Sequence, residues 1–391
     1  MNKYLNNKVI NSILVVTPNY PFEGESVYPF VKNLCEEFAR KGCSVIVLSP
    51  QSISSIYLHG KRRRPYIRRE PVENNQIIIF QPLYLTAPFK YHNLNNVSLR
   101  LCLKFFFWRN RIKPDVCYCH FWSSGFAALP FTRKNNIPLF VASGESNINE
   151  LFTTSFERRR LKDYVKGVIC VSSKNMEESI TLRLTSKYKC GVFPNAINSG
   201  LFYKRDKERC RKELGLPQDV FIVAFVGWFI ERKGPMRVAD AINSIENVNS
   251  LFIGRGDQNP ECKGILFKGS VPHEKIPQYL SAADIFVLPT LHEGCCNAVI
   301  EAMACGLPIV SSNLPFNWDV LDETNSIMVD PNNVGEIADA IRMLRDNSDK
   351  RSLLGQGALQ KAKSLTIDKR ATAILDFMED KINNYNDFVK D

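Results

Sequence analysis

The sequence predicts an α/β protein made of two tandem doubly wound domains. The observations behind this prediction are a length of 391 residues, a composition of 45% hydrophobic and 23% charged residues, and short apolar runs that alternate with amphipathic segments. The length exceeds what one ordinary core accommodates, and the composition is typical of globular proteins. We expect an N-terminal domain at 1–195, a C-terminal domain at 196–365, and a helix within 366–391 that packs back on the first domain.

The first domain opens with a β-α-β pattern. An apolar run at 10–17 predicts a buried strand, residues 27–41 place their apolar side chains on one face of a helix, and Gly42 ends that helix before a strand at 43–48. Such a crossover implies a parallel sheet. Further strands are predicted at 115–120, 137–142 and 168–172, and a helix at 125–135.

A turn-rich segment at 193–198 is interpreted as the link to a second alternating series. Its predicted strands lie at 221–226, 250–254, 265–269, 285–288 and 308–311, and its helices at 234–245, 276–282, 297–305 and 334–345. Doubly wound sheets bind ligands beyond the carboxyl ends of their strands. We therefore expect the functional site in the cleft between the two domains.

Charge is distributed unevenly along the chain. Residues 1–195 hold 28 Lys and Arg against 13 Asp and Glu, a net charge of +15, which leaves −4 for the remainder of the total of +11. A basic first half predicts an anionic partner, such as a phosphorylated acceptor, an anionic lipid or a nucleic acid.

The twelve cysteines do not have the spacing of a disulfide framework or a zinc site. No C-x-x-C pair occurs, so we expect reduced and mostly buried thiols in a cytosolic protein. No run of about 18 uncharged apolar residues is present. The short apolar run at 13–16 is too short for a signal peptide.

The densest chemical signal is the segment His292–Pro308, HEGCCNAVIEAMACGLP. A loop with Gly294 leads into a helix that begins near Asn297, a good N-cap residue, and the start of a helix offers free N–H groups to an anion. Glu293 precedes this start and Glu301 lies one turn inside the helix. Carboxylates do not bind a phosphate, so they suit neutral hydroxyl groups such as those of a sugar and a ribose. The alternative is an ordinary capped helix with a solvated Glu301.

This segment resembles the E-x7-E motif of the retaining, GT-B-fold glycosyltransferases of family 4, the glycosyl transferases group 1. The resemblance extends over nearly the whole chain and also includes FIVAFVG at 221–227, RKG at 232–234, the Gly254-Arg255-Gly256 turn, ADIFVLP at 283–289 and the interdomain segment at 195–198. It implies GT-B architecture, in which two Rossmann-like domains flank an interdomain cleft.

The resemblance also implies a role for each matching residue. Its catalytic residues are Glu293 on hydroxyls of the donor sugar, Lys233 on the diphosphate and His120 near the reacting carbon. Glu301 would hold the ribose, and the residues at 294–297 would offer backbone N–H groups. The complete donor-binding set is Gly227, Arg232, Lys233, Gly254, Gly256, Glu293, Gly294, Cys295, Cys296, Asn297 and Glu301.

On the acceptor side, Gly24 and Glu25 lie where the family has a glycine-rich loop, although two glycines are common there. Glu145 joins this group, because Gly144-Glu145 stands where many members have His-Gly.

The donor side departs from the family as well. Trp228 stands where the family often has arginine, and Arg232 is the residue that would supply the missing charge.

Sugar transfer breaks the bond between the anomeric carbon and a diphosphate oxygen, so positive charge is needed near the leaving phosphate. Lys233, Arg232 and the helix start at Asn297 meet that need. The sequence has no Asp-x-Asp motif, so we predict a metal-independent mechanism without a cofactor, in which a nucleotide-diphosphate sugar is the donor. Retention follows from the resemblance, and front-face attack is expected because no carboxylate pair supplies a nucleophile.

Structural alternatives exist for two of these residues. Lys233 would then be an exposed lysine at a helix start, and His120 a buried, hydrogen-bonded histidine.

Two stretches of the basic half indicate a membrane-near or lipid-linked acceptor. The run 61–69 interleaves arginines with aromatic residues, and 99–113 predicts a basic, strongly apolar helix. A core helix with a solvated basic edge is the alternative for the second stretch. Nucleic acid is disfavoured because no binding motif for it occurs. We expect a cytoplasmic protein that is peripheral on the inner face of the membrane.

Two other functions fit the same pattern. One is a GT-B-like nucleotide-sugar epimerase or a phosphorylase, and the other is a non-catalytic sugar-nucleotide-binding partner in a polysaccharide complex. The presence of Glu293, Glu301 and Lys233 counts against the non-catalytic partner.

Overall fold

The computed structural model describes residues 9–22, 28–58, 60–86, 92–148 and 155–384, and within 92–96 it describes the side chain of Asn95 alone. Two compact units are present. One contains the described residues up to 193 together with those from 370 onward, and the other contains 194–369. The sequence had placed these divisions at 195/196 and 365/366.

The first unit begins with alternating strands and helices, as the apolar runs predict. Its strands are β1 Ser12–Val16, β2 Ser44–Leu48, β3 Gln51–Ser52, β4 Ile67–Val72, β5 Asn75–Phe80, β6 Leu83–Tyr84, β7 Val116–His120, β8 Leu139–Ser143, β9 Gly167–Cys170 and β10 Cys190–Val192. Its helices are α1 Pro29–Arg40, α2 Ile53–Tyr57, α3 His92–Asn110, α4 Trp122–Lys134, α5 Ser155–Tyr164 and α6 Ser173–Thr181.

Among the described residues of this unit, eight strands form one sheet in the order β10-β9-β8-β7-β1-β2-β5-β4. The pairs are parallel except for β4 with β5 at one edge, which is an antiparallel hairpin. The sequence pattern did not predict β4 and β5. Three charged residues, Arg68, Arg69 and Glu70, follow one another in β4, so most of this strand was interpreted as part of the basic run 61–69. Charged side chains on an edge strand discourage pairing with another chain.

The second unit repeats the alternation. Its strands are β11 Ile222–Val226, β12 Asn249–Ile253, β13 Ile265–Gly269, β14 Ile285–Leu288, β15 Ile309–Ser312 and β16 Ser326–Val329. Its helices are α7 Lys207–Leu214, α8 Pro235–Asn243, α9 Ile276–Ala282, α10 Asn297–Ala304, α11 Val334–Asp346 and α12 Ser348–Ala362, and α13 Ile367–Asn383 runs from this unit into the first.

In the described part of the second unit, the six strands form a parallel sheet in the order β13-β12-β11-β14-β15-β16. The central strands β11 and β14 are buried along their whole length, as expected for a parallel sheet covered by helices on both faces. Both units are therefore Rossmann-like α/β folds, and the predicted fold class is confirmed.

The order of the strands determines where the predicted site residues meet. In the second unit, β12, β11 and β14 are neighbours, so the loops after their carboxyl ends share one edge of the sheet. These loops carry Gly254 and Gly256, the turn from Gly227 to Lys233, and Glu293. In the first unit, His120 ends β7 and Glu145 follows the adjacent β8.

Candidate functional site

Two cations of the second unit meet at one carboxylate oxygen. Lys233 Nζ lies 2.5 Å from Glu293 Oε1. Arg232 forms a second ion pair with the same oxygen and donates to the carbonyl of His292 at 2.7 Å. The loop after β11 and the loop after β14 are thereby joined through charge, although about sixty residues separate them in sequence.

Burial and charge act in opposite directions on this group. Burial by itself raises the pKa of the Glu293 carboxyl, but Lys233 and Arg232 outweigh it and hold the pKa below its ordinary value. Burial would likewise lower the pKa of Lys233, yet Cys296 and Glu293 keep it raised. Both groups are therefore charged at neutral pH. Lys233 is buried, so it is not the exposed lysine of the structural alternative.

Backbone contacts fix the position of Arg232. Its carbonyl accepts a hydrogen bond from the amide of Leu291 at 2.8 Å and another from the hydroxyl of Thr290 at 3.2 Å. Thr290 is fully buried. The basic turn is thus anchored on the segment between β14 and α10.

The start of α10 differs from the sequence expectation. Cys296 is the N-cap residue, with an extended backbone and no side-chain capping bond, and Asn297 is the first residue inside the helix. The prediction that Asn297 serves as the N-cap is wrong. The Oδ1 atom of Asn297 is instead buried without a hydrogen-bond partner among the described residues, so a cap from this side chain is not formed. Such an atom calls for an explanation in a native site.

The two residues before Asn297 are buried cysteines. Burial raises the pKa of the Cys296 thiol although Lys233, 3.8 Å from its sulfur, acts in the opposite direction. The carbonyl of Cys295 accepts a hydrogen bond from the Asn195 side chain at 3.1 Å. The N–H groups that open α10 therefore lie beside a buried lysine.

Glu301 has a partner that the sequence did not reveal. His273 Nε2 lies 3.0 Å from Glu301 Oε1, and the His273 ring is tilted against that of Phe202, with 5.2 Å between centroids. Burial would lower the pKa of His273, but its hydrogen bond to Glu301 raises it. No local signal predicts this pair, because His273 lies 28 residues before Glu301 in an unremarkable turn.

Two of the predicted glycines are required by close backbone packing. A Cβ atom on Gly254 would lie 1.8 Å from the carbonyl oxygen of Gly227, and one on Gly256 would lie 2.2 Å from that of Phe229. The Gly-x-Gly turn thus packs directly on the loop after β11. A Cβ atom added to Gly227 would make only ordinary van der Waals contacts, the nearest at 3.7 Å.

Trp228, which stands where the resemblance calls for arginine, is an exposed side chain. The Arg255 guanidinium lies over its ring at 5.4 Å from the centroid. A cation is therefore present beside the aromatic ring, supplied by the neighbouring Gly-x-Gly turn. Such pairs contribute about 0.5–1 kcal/mol at exposed sites.

The predicted residues of the first unit lie in a separate group. His120 is buried among aromatic rings, with Phe30 at 5.3 Å and Phe121 at 4.2 Å between centroids. Burial lowers its pKa to about 3, and the nearby Arg370 cation acts in the same direction, so the ring is neutral at physiological pH. Neither ring nitrogen has a hydrogen-bond partner among the described residues, which differs from the structural alternative of a hydrogen-bonded histidine.

Glu145 binds backbone groups of its own unit. Its carboxylate accepts hydrogen bonds from the amide of Trp122, the first residue of α4, at 2.7 Å and from that of Gly144 at 3.0 Å. Burial raises its pKa to about 7 even though these bonds lower it. Phe121, which precedes α4, has a positive φ of 73° and no capping side chain of its own. Glu145 therefore caps α4 from the neighbouring strand.

The remaining acceptor-side residues, Gly24 and Glu25, lie outside the described residues. Within the described ranges, no three His, Cys, Asp or Glu side chains gather in a group suited to a metal ion. All twelve cysteines have free thiols, in agreement with the expected reduced state. None of the described helices is long and apolar enough to cross a membrane.

Known proteins share both sequence and fold with this chain. Residues 220–347 match the family model described as "Glycosyl transferases group 1". TuaC of Bacillus subtilis (strain 168), assigned as a teichuronic acid biosynthesis glycosyltransferase, is 28% identical over 349 residues, which are 84% of this chain and 88% of TuaC. The UDP-Gal:alpha-D-GlcNAc-diphosphoundecaprenol alpha-1,3-galactosyltransferase of Escherichia coli is 27% identical over 70% of this chain and 77% of its own.

Solved structures extend the similarity to nearly the whole fold. Sucrose-phosphate synthase from Thermosynechococcus elongatus superposes with a TM-score of 0.75 at 20% identity, over 93% of this chain and 97% of that protein. Anabaena Alr3699/HepE in complex with UDP gives a TM-score of 0.71 at 15% identity, over 93% and 98%. These findings support a glycosyltransferase with the GT-B fold, in which residues 220–347 carry the sequence pattern of the glycosyl transferases group 1.

Proposed function

We propose that this chain transfers a sugar from a nucleotide-diphosphate donor to an acceptor, with retention of the anomeric configuration and without a metal ion. The observation that carries the proposal is the meeting of Lys233 and Arg232 at one carboxylate oxygen of Glu293, next to the start of α10. Two fixed cations beside the positive end of a helix would provide a site for a diphosphate. The family match over the same segment supports this use.

In the absence of donor, the single carboxylate of Glu293 offsets one of the two positive charges. A diphosphate that enters would take over Lys233 and Arg232, and the Glu293 carboxylate would then be available to accept hydrogen bonds from hydroxyls of the donor sugar. The unpaired Oδ1 of Asn297 offers a second acceptor for such a hydroxyl. Glu301 would hold the ribose and exchange its bond with His273 for bonds to the two ribose hydroxyls.

The chemistry follows from where charge develops. The bond from the anomeric carbon to the β-phosphate oxygen breaks, and both electrons stay on that oxygen, where Lys233, Arg232 and the N–H groups of α10 stabilise the negative charge. The acceptor hydroxyl oxygen forms the new bond on the same face of the sugar, and its proton passes to the departing phosphate. His120 is neutral, so it would position the donor sugar through hydrogen bonds rather than act as an acid.

We further propose that the acceptor is lipid-linked or membrane-near and belongs to the synthesis of a polysaccharide or another cell-surface glycan. The basic first half of the chain and the names of TuaC and the E. coli galactosyltransferase support this assignment. The protein would then act as a peripheral protein on the cytoplasmic face of the membrane. Glu145, with its carboxylate committed to α4, would shape the acceptor side rather than contact the acceptor.

A thermal-shift screen of nucleoside diphosphates and nucleotide sugars tests the donor site, because a ligand that binds the native state raises the unfolding temperature. The identified donor is then incubated with candidate acceptors in the presence of a metal chelator, and release of nucleoside diphosphate is measured. We expect one nucleotide series to stabilise the protein and acceptor-dependent release to persist in the chelator.

Other outcomes separate the alternatives. Turnover of the nucleotide sugar without any acceptor would indicate an epimerase, and dependence on inorganic phosphate would indicate a phosphorylase. Binding of the donor with no release across a broad acceptor set would favour a non-catalytic partner. Loss of release in the chelator would contradict the metal-independent mechanism.

A further inference from the structure

Helix α3 carries apolar side chains on two faces. Its inner face packs into the core of the first unit through Leu103, Phe106 and Phe107. Its outer face exposes four large apolar side chains, Val97 and, at 60%, 56% and 74% exposure, Leu101, Phe105 and Trp108. Their spacing of four, four and three residues places them in one stripe along the helix. The core of the first unit accounts for the inner face but not for this stripe.

Neighbouring segments contact α3 near both of its ends. The amide of Leu85, an exposed residue after β6, donates to Ser98 Oγ at 3.0 Å. At the other end, Asn110 Nδ2 lies 3.4 Å from the hydroxyl of the exposed Tyr66. The amide of Lys61 donates to the carbonyl of Ser55 in α2 at 3.0 Å, which places the basic segment 61–66 beside that helix.

The end of α2 adds two further apolar side chains, the exposed Tyr57 and Leu58. The exposed apolar residues of this region are therefore Tyr57, Leu58, Tyr66, Leu85, Val97, Leu101, Phe105 and Trp108. An exposed apolar stripe such as that of α3 marks a site of interaction. We refer to these residues, with the cations described next, as the basic apolar face.

Exposed cations accompany the apolar side chains. They are Lys61, Arg62 and Arg63 in the segment after α2, and Lys104, Arg109, Arg111 and Lys113 in α3 and just after it. Residues 74–114 contain no Asp or Glu at all. Glu157 of the neighbouring helix α5 pairs with Arg100 of α3 at 2.6 Å.

We propose that the basic apolar face docks this protein on an anionic lipid bilayer. Aliphatic and aromatic side chains would enter the boundary between headgroups and acyl chains, while the surrounding Lys and Arg side chains meet lipid phosphates. Leu58, Leu85 and Leu101 gain free energy in hydrocarbon but gain little from stacking on nucleic-acid bases. A second copy of the chain would bring two basic faces together, which like charge opposes.

This inference deepens the proposed function, on which the biological purpose of the docking rests. A lipid-linked acceptor would be reached from the same surface to which the face binds. Vesicle binding is measured without donor or acceptor. A negative result would therefore reject the docking but not the proposed sugar transfer, and absence of transfer would not reject the docking.

The test uses the full chain and sedimentation with vesicles of pure phosphatidylcholine or of phosphatidylcholine with about one third phosphatidylglycerol. We expect binding to the anionic vesicles alone, and weaker binding as salt rises. The double variant Phe105→Ser/Trp108→Ser should reduce the partition coefficient on the order of tenfold or more. The triple variant Lys104→Gln/Arg109→Gln/Arg111→Gln should reduce it by a similar factor.

Matched controls come from the second unit. Leu353→Ser and Trp318→Ser remove exposed apolar side chains outside the face, and Lys212→Gln/Lys263→Gln/Lys363→Gln removes the same net charge. These variants should bind vesicles as the unchanged protein does. Unaltered stabilisation by nucleoside diphosphate in every variant would show that the fold is intact.

Several results would overturn the proposal. Equal binding to both vesicle types, or equal losses in the face variants and the controls, would show that the face has no specific role. A dimer in sedimentation velocity that Phe105→Ser/Trp108→Ser converts to monomer would assign the face to a second copy. If the face variants lost binding to a single-stranded nucleic-acid probe but still bound vesicles, the basic apolar face would be assigned to nucleic acid.

Discussion

Lys233 and Glu293 form a buried ion pair with 2.5 Å between Nζ and Oε1, and Arg232 shares the same carboxylate oxygen. Removal of one member of such a cluster normally leaves an unpaired buried charge. Here either cation can be removed singly while the other still pairs with Glu293, whereas removal of Glu293 leaves two like charges side by side. The cluster therefore allows functional and structural roles to be separated by mutation.

Lys233→Ala should abolish most of the transfer activity while the protein stays folded. The variant loses a fixed cation at the leaving phosphate, an effect on the order of 10²–10³-fold in kcat/KM for one preorganised group. Arg232 continues to pair with Glu293, so the urea midpoint should fall only slightly. Kinetics of nucleoside diphosphate release check the first expectation. Lys263→Ala, an exposed lysine of the same unit, is the control, and near-normal turnover in Lys233→Ala would remove the proposed role.

Glu293→Gln should separate donor binding from turnover. Without the carboxylate, both cations lose their anionic partner in the free protein, so nucleoside diphosphate should bind more tightly, on the order of several-fold. Turnover of the nucleotide sugar should nevertheless fall strongly, because the glutamine accepts hydrogen bonds from sugar hydroxyls less well. Isothermal titration with nucleoside diphosphate and steady-state kinetics measure the two effects. Glu323→Gln serves as the exposed control, and weaker diphosphate binding in Glu293→Gln would contradict the model of competition.

The pair of His273 and Glu301 should make donor binding and stability depend on pH. The pKa of His273 is raised by Glu301 above its ordinary value of 6.5, so the stabilising contribution is complete below that value and is lost as the pH rises through the folded-state pKa. In the proposed donor complex, ribose hydroxyls compete with the protonated His273 ring for the Glu301 carboxylate. Nucleoside diphosphate should therefore bind less tightly in mild acid.

An NMR titration of the His273 ring measures this pKa directly. Glu301→Gln should return the pKa toward or below 6.5, because burial alone lowers it. In His273→Gln, the affinity for nucleoside diphosphate should no longer fall in mild acid. An unchanged titration in Glu301→Gln would show that the carboxylate does not act on the ring.

Glu145 should make the protein less stable toward neutral pH. Burial raises its pKa from 4.5 to about 7, so between these values the folded state binds more protons than the unfolded state, and the free energy of unfolding falls as the pH rises. The effect is on the order of 1–3 kcal/mol and ends above pH 7. Glu145→Gln keeps an oxygen acceptor for the Trp122 amide and should flatten the dependence. Urea unfolding at several pH values measures it, and parallel curves for both proteins would contradict the assignment.

Gly256→Ala should destabilise the second unit, whereas Gly227→Ala should not. A Cβ at position 256 would overlap the Phe229 carbonyl at 2.2 Å, and one at position 227 would make ordinary contacts at 3.7 Å. Overpacking against backbone costs about 1–3 kcal/mol, and sometimes more. Thermal unfolding of the two variants measures the difference. Similar melting temperatures for the two variants would show that the Gly-x-Gly turn can shift enough to accommodate the added Cβ atom.

The sequence by itself determined the fold class and most elements of both units. Short, fully apolar runs such as 285–288 are typical of buried strands, and the helix beginning at Asn297 and the strand that follows it were predicted within one residue of their observed bounds. Short-range patterns suffice there because hydrophobic period and turn residues act locally. The β4–β5 hairpin was missed since its pattern mixes charge with apolar residues at an exposed edge.

The tertiary structure decided which groups meet. Lys233 and Glu293 lie at the ends of β11 and β14, and only the strand order makes those loops neighbours. The partner of Glu301, the unpaired Oδ1 of Asn297 and the capping of α4 by Glu145 likewise depend on contacts between distant segments. A sequence states the chemistry of a side chain, but burial and neighbours fix its charge, and these arise only when the sheets assemble.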